Sequence, residues 1–243
     1  MTQVAVVNSS SVVQDADVQD LVAALQIQVS RDFAPVWGRD AQLAFSPQNA
    51  PVPPGTWELL IADNSDQVGA LGYHELTVNG DPLGKVFAQD DIANGNSWAV
   101  TASHEILEML ADPWINQCVQ NDNPDGSIRF YALEVCDACE DDQSGYQVAL
   151  PNGKNVLVSD FVRPSWFQPN DPAPYDFQNK INAAFAILQN GYIGYLDAQS
   201  KAGWQQLNGQ LLRPSKAAEL VAKPGHRRYK RAIGVRKWRR STR

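Results

Sequence analysis

Apolar residues at Val18, Leu21, Val22, Leu25, Val29, Phe33 and Trp37 recur on one side of a 3.6-residue period, which predicts a long amphipathic helix. Asp15 or Asp17 is placed to cap its start, and Gly38 to stop it. Before it, Gln3 to Val7 reads as a short buried strand. After it, Ala41–Phe45 and Trp57–Asp63 read as two more strands, separated by a proline-rich loop at 47–55. The stretches Ala70–Thr77 and Gly84–Gln89 flank Asn79-Gly80-Asp81 and predict a hairpin. Residues 98–113, WAVTASHEILEMLADP, predict a mostly buried helix closed by Pro113, which lacks an N–H. Further on, Ile128–Val135 predicts a strand, and Tyr146–Leu150 with Asn155–Ser159 predicts a hairpin about Pro151-Asn152-Gly153-Lys154. Phe177–Leu188 reads as a short helix, and Gly191–Leu196 with Trp204–Leu211 as a small closing hairpin. No repeat interrupts this order.

Composition fits an ordinary core: 243 residues with 44% hydrophobic content suffice for one large or two small domains. No run of 18 apolar residues is present, so no membrane span is expected. The N-terminus lacks the basic and apolar regions of a Sec signal, so a cytoplasmic protein, or one packaged in a particle such as a virion, is expected.

Charge is split between two regions. Residues 223–243 hold ten of the 20 basic residues and no acidic one, leaving ten against 27 acidic residues in the first 222, about −17. The expected organisation is therefore a body over 1–222, with an upper part to about 113 and a lower part from 114, followed by a basic tail. In the tail, Arg227, Arg228, Lys230, Arg231, Arg236, Lys237, Arg239 and Arg240 are candidates to bind a polyanion, either nucleic acid or an acidic protein surface. Tyr229 and Trp238 are available for stacking. An unstructured solubilising end is the alternative.

The chemistry concentrates on the helix at 98–113. His104 and Glu108 stand one turn apart on one face, and Glu105 lies beside them. In the zinc-peptidase helix HExxH, the first and last residues bind metal and the glutamate activates water. Here the last position is a glutamate, giving HExxE. Charged groups on a buried helix need a partner, and a metal ion supplies one. A second acidic segment, EVCDACEDD at 134–142, leaves the end of a strand. Within it Glu134 and Asp137 suit a further ligand and its supporting partner, whereas Glu140, Asp141 and Asp142 read as a solvated loop. Cys136 and Cys139 have CxxC spacing with no second pair; a disulfide to Cys118 and three thiols are both open.

The succession of strand, long helix, strands, hairpin and HExxE helix resembles the upper domain of the zincin metallopeptidases over about residues 3–167. The pattern HExxExxxDP followed by ExxDxC (His104, Glu105, Glu108, Asp112, Pro113, Glu134, Asp137, Cys139) is similar to a zincin-type group that includes the phosphate-induced, EXORDIUM-like proteins and bacterial and phage-borne relatives. The resemblance implies an α+β fold in which a twisted sheet lies across a backing helix and an active-site helix, followed by a smaller β-rich part. It also implies a metal site and an extended peptide or protein as substrate, paired to the open sheet edge, for which Lys85–Gln89 is the candidate. His104, Glu108 and one of Glu134 or Asp137 are the expected ligands of zinc or another divalent ion, with Asp112 as an outer partner or substitute ligand. Glu105 is the expected general base. Only His74, His104 and His226 exist, so one histidine plus carboxylates is the expected set. The competing function is a non-catalytic structural or accessory protein, virion-associated, that docks through its tail. A serine-hydrolase elbow and a phosphate loop are absent, and no carboxylate pair is placed for glycosidase chemistry.

Overall fold

Val4 and Val6 on β1 (Thr2–Asn8), Ala41 and Leu43 on β2 (Ala41–Pro47) and Leu59 and Ile61 on β3 (Trp57–Ala62) alternate inward, and their side chains form the base of the core. The structure, a computed structural model, describes residues 1–209. With β4 (Gly72–Leu76) and β5 (Pro82–Phe87), these strands make a five-stranded sheet in the order β2-β1-β3-β5-β4. Neighbours are parallel except β4, which runs antiparallel to β5. Gly80 takes the left-handed conformation (φ 89°) in the turn between them.

Helix α1 (Asp15–Ile27) starts one residue after Gln14, which makes no side-chain cap. Asp15 is the first helical residue, and its carboxylate accepts a bond from the Asn8 amide at 2.7 Å. Both expected caps thus lie inside the first turn, where negative charge suits the helix dipole. The chain stays helical to Trp37, but Gln28–Phe33 widens into a π turn before α2 (Ala34–Trp37). The Ala34 amide reaches back five residues to the Val29 carbonyl. This shift ends just before Pro35, which has no N–H to continue an α ladder. Gly38 ends the helix in the left-handed region, at φ 66°.

Two elements here depart from the sequence expectation. Ala88–Asn94 is a short helix, α3, so residues 88–89 do not extend a strand. β5 is also internal, flanked by β3 and β4; the edges are β2 and β4, the latter against α4, and the expectation of an edge at Lys85–Gln89 is corrected accordingly.

Helix α4 (Trp98–Ala111) packs on β3, β4 and β5. A second, antiparallel sheet of order β11-β10-β7-β6 follows. It comprises β6 (Cys118–Asp122), β7 (Ile128–Ala132), β10 (Tyr192–Asp197) and β11 (Trp204–Asn208). The hairpin of β8 (Tyr146–Ala149) and β9 (Asn155–Val158) touches α1, and β9 also touches α4. One continuous apolar cluster links both larger sheets, from Val4 to Ile193. The architecture is α+β.

The helix expected at 177–188 does not form. Asn179 and Phe185 both adopt positive φ (57°), and the amides of Lys180 and Ile181 donate to the Asp176 carboxylate at 2.9 and 2.8 Å. The helical spacing of Phe177, Ile181 and Phe185 instead reflects packing: Phe177 stacks on Phe161, and Phe185 lies against Tyr131. The aromatic run at 159–167 belongs to the core, with Phe161, Val162, Trp166 and Phe167 all buried. No helix among the described residues is long and apolar enough to cross a membrane. The basic tail lies outside the described residues.

Candidate metal centre

α4 is apolar enough to be buried on nearly every side, and that burial carries its polar residues inward with it. His104, Glu105 and Glu108 all leave its buried surface, and none is more than 6% exposed. Close approach to the sheet depends on two glycines. A Cβ on Gly72 would lie 2.5 Å from Thr101 Cγ2 and 3.0 Å from Glu105 Oε1; one on Gly84 would lie 2.6 Å from Leu59 Cδ1 and 2.8 Å from Met109 Sδ.

His104 Nε2 is 3.2 Å from Glu108 Oε1, the one-turn pair expected of HExxE, and 3.3 Å from Asp137 Oδ1. The segment after β7 brings in Glu134, Cys136 and Asp137, all buried, with Asp137–Cys139 forming a single 3₁₀ turn. The Cys136 amide donates to Glu108 Oε1 at 3.2 Å and ties this segment to the helix.

The edge strand adds a residue that sequence reasoning left without a role. His74 on β4 is fully buried, its Nδ1 3.2 Å from Glu105 Oε2 and 3.8 Å from Glu108 Oε2. Its Nε2 is buried with no hydrogen-bond partner. Two histidines thus stand among the carboxylates around α4, and each candidate ligand group holds one of them. In sequence His74 is 31 residues from Glu105, and only the pairing of β4 at the sheet edge places it over the helix.

Asp112 is placed differently. Its Oδ1 and Oδ2 accept the amides of Asn116 and Gln117 at 3.1 and 3.0 Å, fastening the turn that follows α4. Among the described residues, two groups have ligand atoms within 4.8 Å of one another: His104, Glu108 and Cys136, and His74, Glu108 and Glu134. Asp112 belongs to neither. No disulfide joins the cysteines; Cys136 and Cys139 are buried and Cys118 is exposed.

The electrostatics of the cluster are those of too much negative charge in too little water. Burial, aided by the charges of Asp137 and Glu134 and opposed by His104, pushes the Glu108 carboxyl up to about 8. Burial would lower His104, but the charge of Glu108 and hydrogen bonds to Asp137 and Glu108 outweigh it and hold the imidazole well above its usual range. His74 is raised in the same way, burial being outweighed by its bond to Glu105 and the charges of Glu134, Glu105 and Glu108. Burial drives the Cys136 and Cys139 thiols far up, so both stay protonated. Without a cation, protons do the neutralising; a divalent ion can displace them.

These donors suit such an ion. Imidazole nitrogen with carboxylate oxygen accepts zinc, iron or manganese, and the orphaned His74 Nε2 is a lone pair or N–H with nothing to meet. Compared with family models, curated proteins and solved structures, the chain matches none.

Proposed function

We propose that the chain is a divalent-metal hydrolase on a zincin-like frame, with zinc as the first candidate ion and an extended peptide or protein as substrate. The observation that carries the reading is the convergence of His104, Glu108, Glu134 and Asp137 with His74, whose Nε2 is buried and unpartnered. The parallel sheet with one antiparallel edge strand, backed by α1 and crossed by the HExxE helix, supports the frame.

A divalent ion held by these residues would supply Lewis acidity, polarising a carbonyl and lowering the pKa of a water. The chain's own residues do the rest. Glu105 Oε2 is held by His74, and Oε1, beside Gly72 on the edge strand, would be the oxygen that takes the proton from an attacking water. The edge of β4 offers backbone donors and acceptors to an extended peptide. The three carboxylates around the ion supply negative charge, which weakens its pull on water and makes for slow turnover.

Glu105→Gln keeps metal and loses hydrolysis of a peptide library by at least about 100-fold, the low end for a general base. Full activity in this variant overturns the mechanism. One observation favours a second reading, a non-catalytic structural or accessory protein: every donor residue is at most 6% exposed. In that case the wild type binds metal and cleaves no member of the library. The basic residues from Arg227 to Arg240 are the proposed docking element for nucleic acid or an acidic neighbour in that reading.

A further inference from the structure

The HExxE helix and the segment after β7 meet at one carboxylate oxygen. Glu108 Oε1 stands 3.2 Å from His104 Nε2 and accepts the Cys136 amide, also at 3.2 Å. The Cys136 carbonyl is held in turn by the Cys139 amide at 3.1 Å and the Cys139 thiol at 3.5 Å. One residue earlier, the Val135 carbonyl takes the Val162 amide at 2.7 Å. A residue fastened at its amide, at its carbonyl and through its neighbour has little freedom in where its side chain begins.

That side chain is a thiol beside the one-turn pair. Cys136 is fully buried, and its Sγ, a His104 ring nitrogen and a Glu108 oxygen all lie within 4.8 Å of one another. Nitrogen, oxygen and sulfur donors of one tetrahedral ion stand roughly 3.5 Å apart, a gap that small side-chain rotations close. Cys139 belongs to neither donor group and donates its S–H to the Cys136 carbonyl instead.

The other donor group, His74, Glu108 and Glu134, offers only nitrogen and oxygen. There the imidazole is farther from Glu108, with Nδ1 3.8 Å from Oε2, and that nitrogen is already engaged by Glu105 Oε2 at 3.2 Å. In the first group the hydrogen bond from the Cys136 amide fixes the ligating carboxylate from outside, as the supporting partners of metal ligands do. Binding releases the thiol proton to solvent, and thiolate and carboxylate together then match the two charges of a divalent ion beside a neutral His104.

We infer that Cys136 is a thiolate ligand of the metal: one divalent ion is held by His104 Nε2, Glu108 Oε1 and Cys136 Sγ. This mixed nitrogen, oxygen and sulfur set selects zinc and ions like it over manganese, magnesium and calcium, which prefer oxygen. The inference rests on the metal reading above and goes beyond it in the sulfur ligand and in the class of ion.

The test is titration of tag-free, metal-free, full-length protein with CoCl2 in a thiol-free reductant, with cobalt uptake followed by equilibrium dialysis and ligation by absorbance. A near-ultraviolet sulfur-to-cobalt charge-transfer band is expected to grow in step with uptake. ZnCl2 should abolish it, and an excess of MnCl2 of about tenfold should leave it. The chain has three cysteines, so attribution is direct. The double variant Cys118→Ser, Cys139→Ser keeps the band and Cys136→Ser loses it, and either result assigns the sulfur even if the other variant fails to fold. Cobalt uptake with no such band, or a band that survives in Cys136→Ser, overturns the thiolate assignment and leaves a metal site of nitrogen and oxygen donors standing. No uptake by the wild type overturns the metal reading itself, and this inference with it.

Discussion

Gly72 and Gly84 let a helix carrying two buried glutamates lie against the sheet, because neither places a Cβ in the space that Thr101, Leu59 and Met109 fill. Gly84→Ala puts a methyl group 2.6 Å from Leu59 Cδ1 and 2.8 Å from Met109 Sδ, so both side chains must move. The expected loss is about 1–3 kcal/mol in urea unfolding, the usual cost of overpacking a core. An unchanged midpoint would mean that α4 is not seated as described. At this scale the sequence was half legible. His104, Glu105 and Glu108 could be read from their spacing, because four residues make one helical turn whatever the tertiary context. His74 could not: its position in the cluster depends on β4 being the edge of the sheet, a fact of strand order that no local pattern encodes. Asp112 lies next to the motif, yet its oxygens go to the amides of Asn116 and Gln117.

Among the elements, the π turn between α1 and α2 carries a second buried polar group. Asp32 accepts two bonds from Arg31, at 2.6 and 2.8 Å, and one from the Tyr146 hydroxyl of β8 at 2.9 Å. Burial, and after it the charge of Asp32, hold the Tyr146 phenol protonated. Tyr146→Phe removes one donor from a buried carboxylate, and a loss of about 1.5–3 kcal/mol is expected by thermal or urea denaturation. No loss would show that the hairpin is not fastened to the helix through this bond. The long helix was legible because seven apolar residues keep one face; the π turn was not, since a single shift of the ladder leaves that face intact. The false helix at 177–188 has the converse origin. Its apolar residues keep a helical spacing, but Asp176 takes up the Lys180 and Ile181 amides, and aromatic packing buries the rest without a ladder. Antiparallel hairpins with glycine turns were the easiest to read, because the turn and the strands are encoded within a few residues.

For the molecule as a whole, buried acids set the pH response. Burial is the leading cause in raising Asp91 to about 7, Asp160 to about 8 and Glu108 to about 8. Each binds more protons folded than unfolded between its ordinary value and its folded one, so the unfolding free energy falls as pH rises through that window. The raised histidines act in the same direction: their contribution is fully present below 6.5, the unfolded value, and is lost as pH climbs through their folded values. The metal-free protein is therefore expected to lose melting temperature steadily from about pH 5 to about pH 9. Loading with zinc should flatten that fall, because ions replace the protons on Glu108 and the histidines while Asp91 and Asp160 continue to titrate. A metal-free protein that grows more stable with rising pH would contradict the burial of these groups. The charge segregation that suggests a polyanion-binding tail concerns residues outside those described; of the acidic residues in the described structure, Glu105, Glu108, Glu134 and Asp137 are buried together at α4.

The central claim, that the cluster around α4 is a metal centre, is most directly tested by elemental mass spectrometry on tag-free protein purified without chelator, beside His104→Ala. The account predicts a divalent metal bound to the wild type at one or more equivalents per chain and depleted in the variant. Metal-free wild type that also fails to take up zinc on dialysis would contradict it, leaving His74, His104 and their four carboxylates as a buried network neutralised by protons alone.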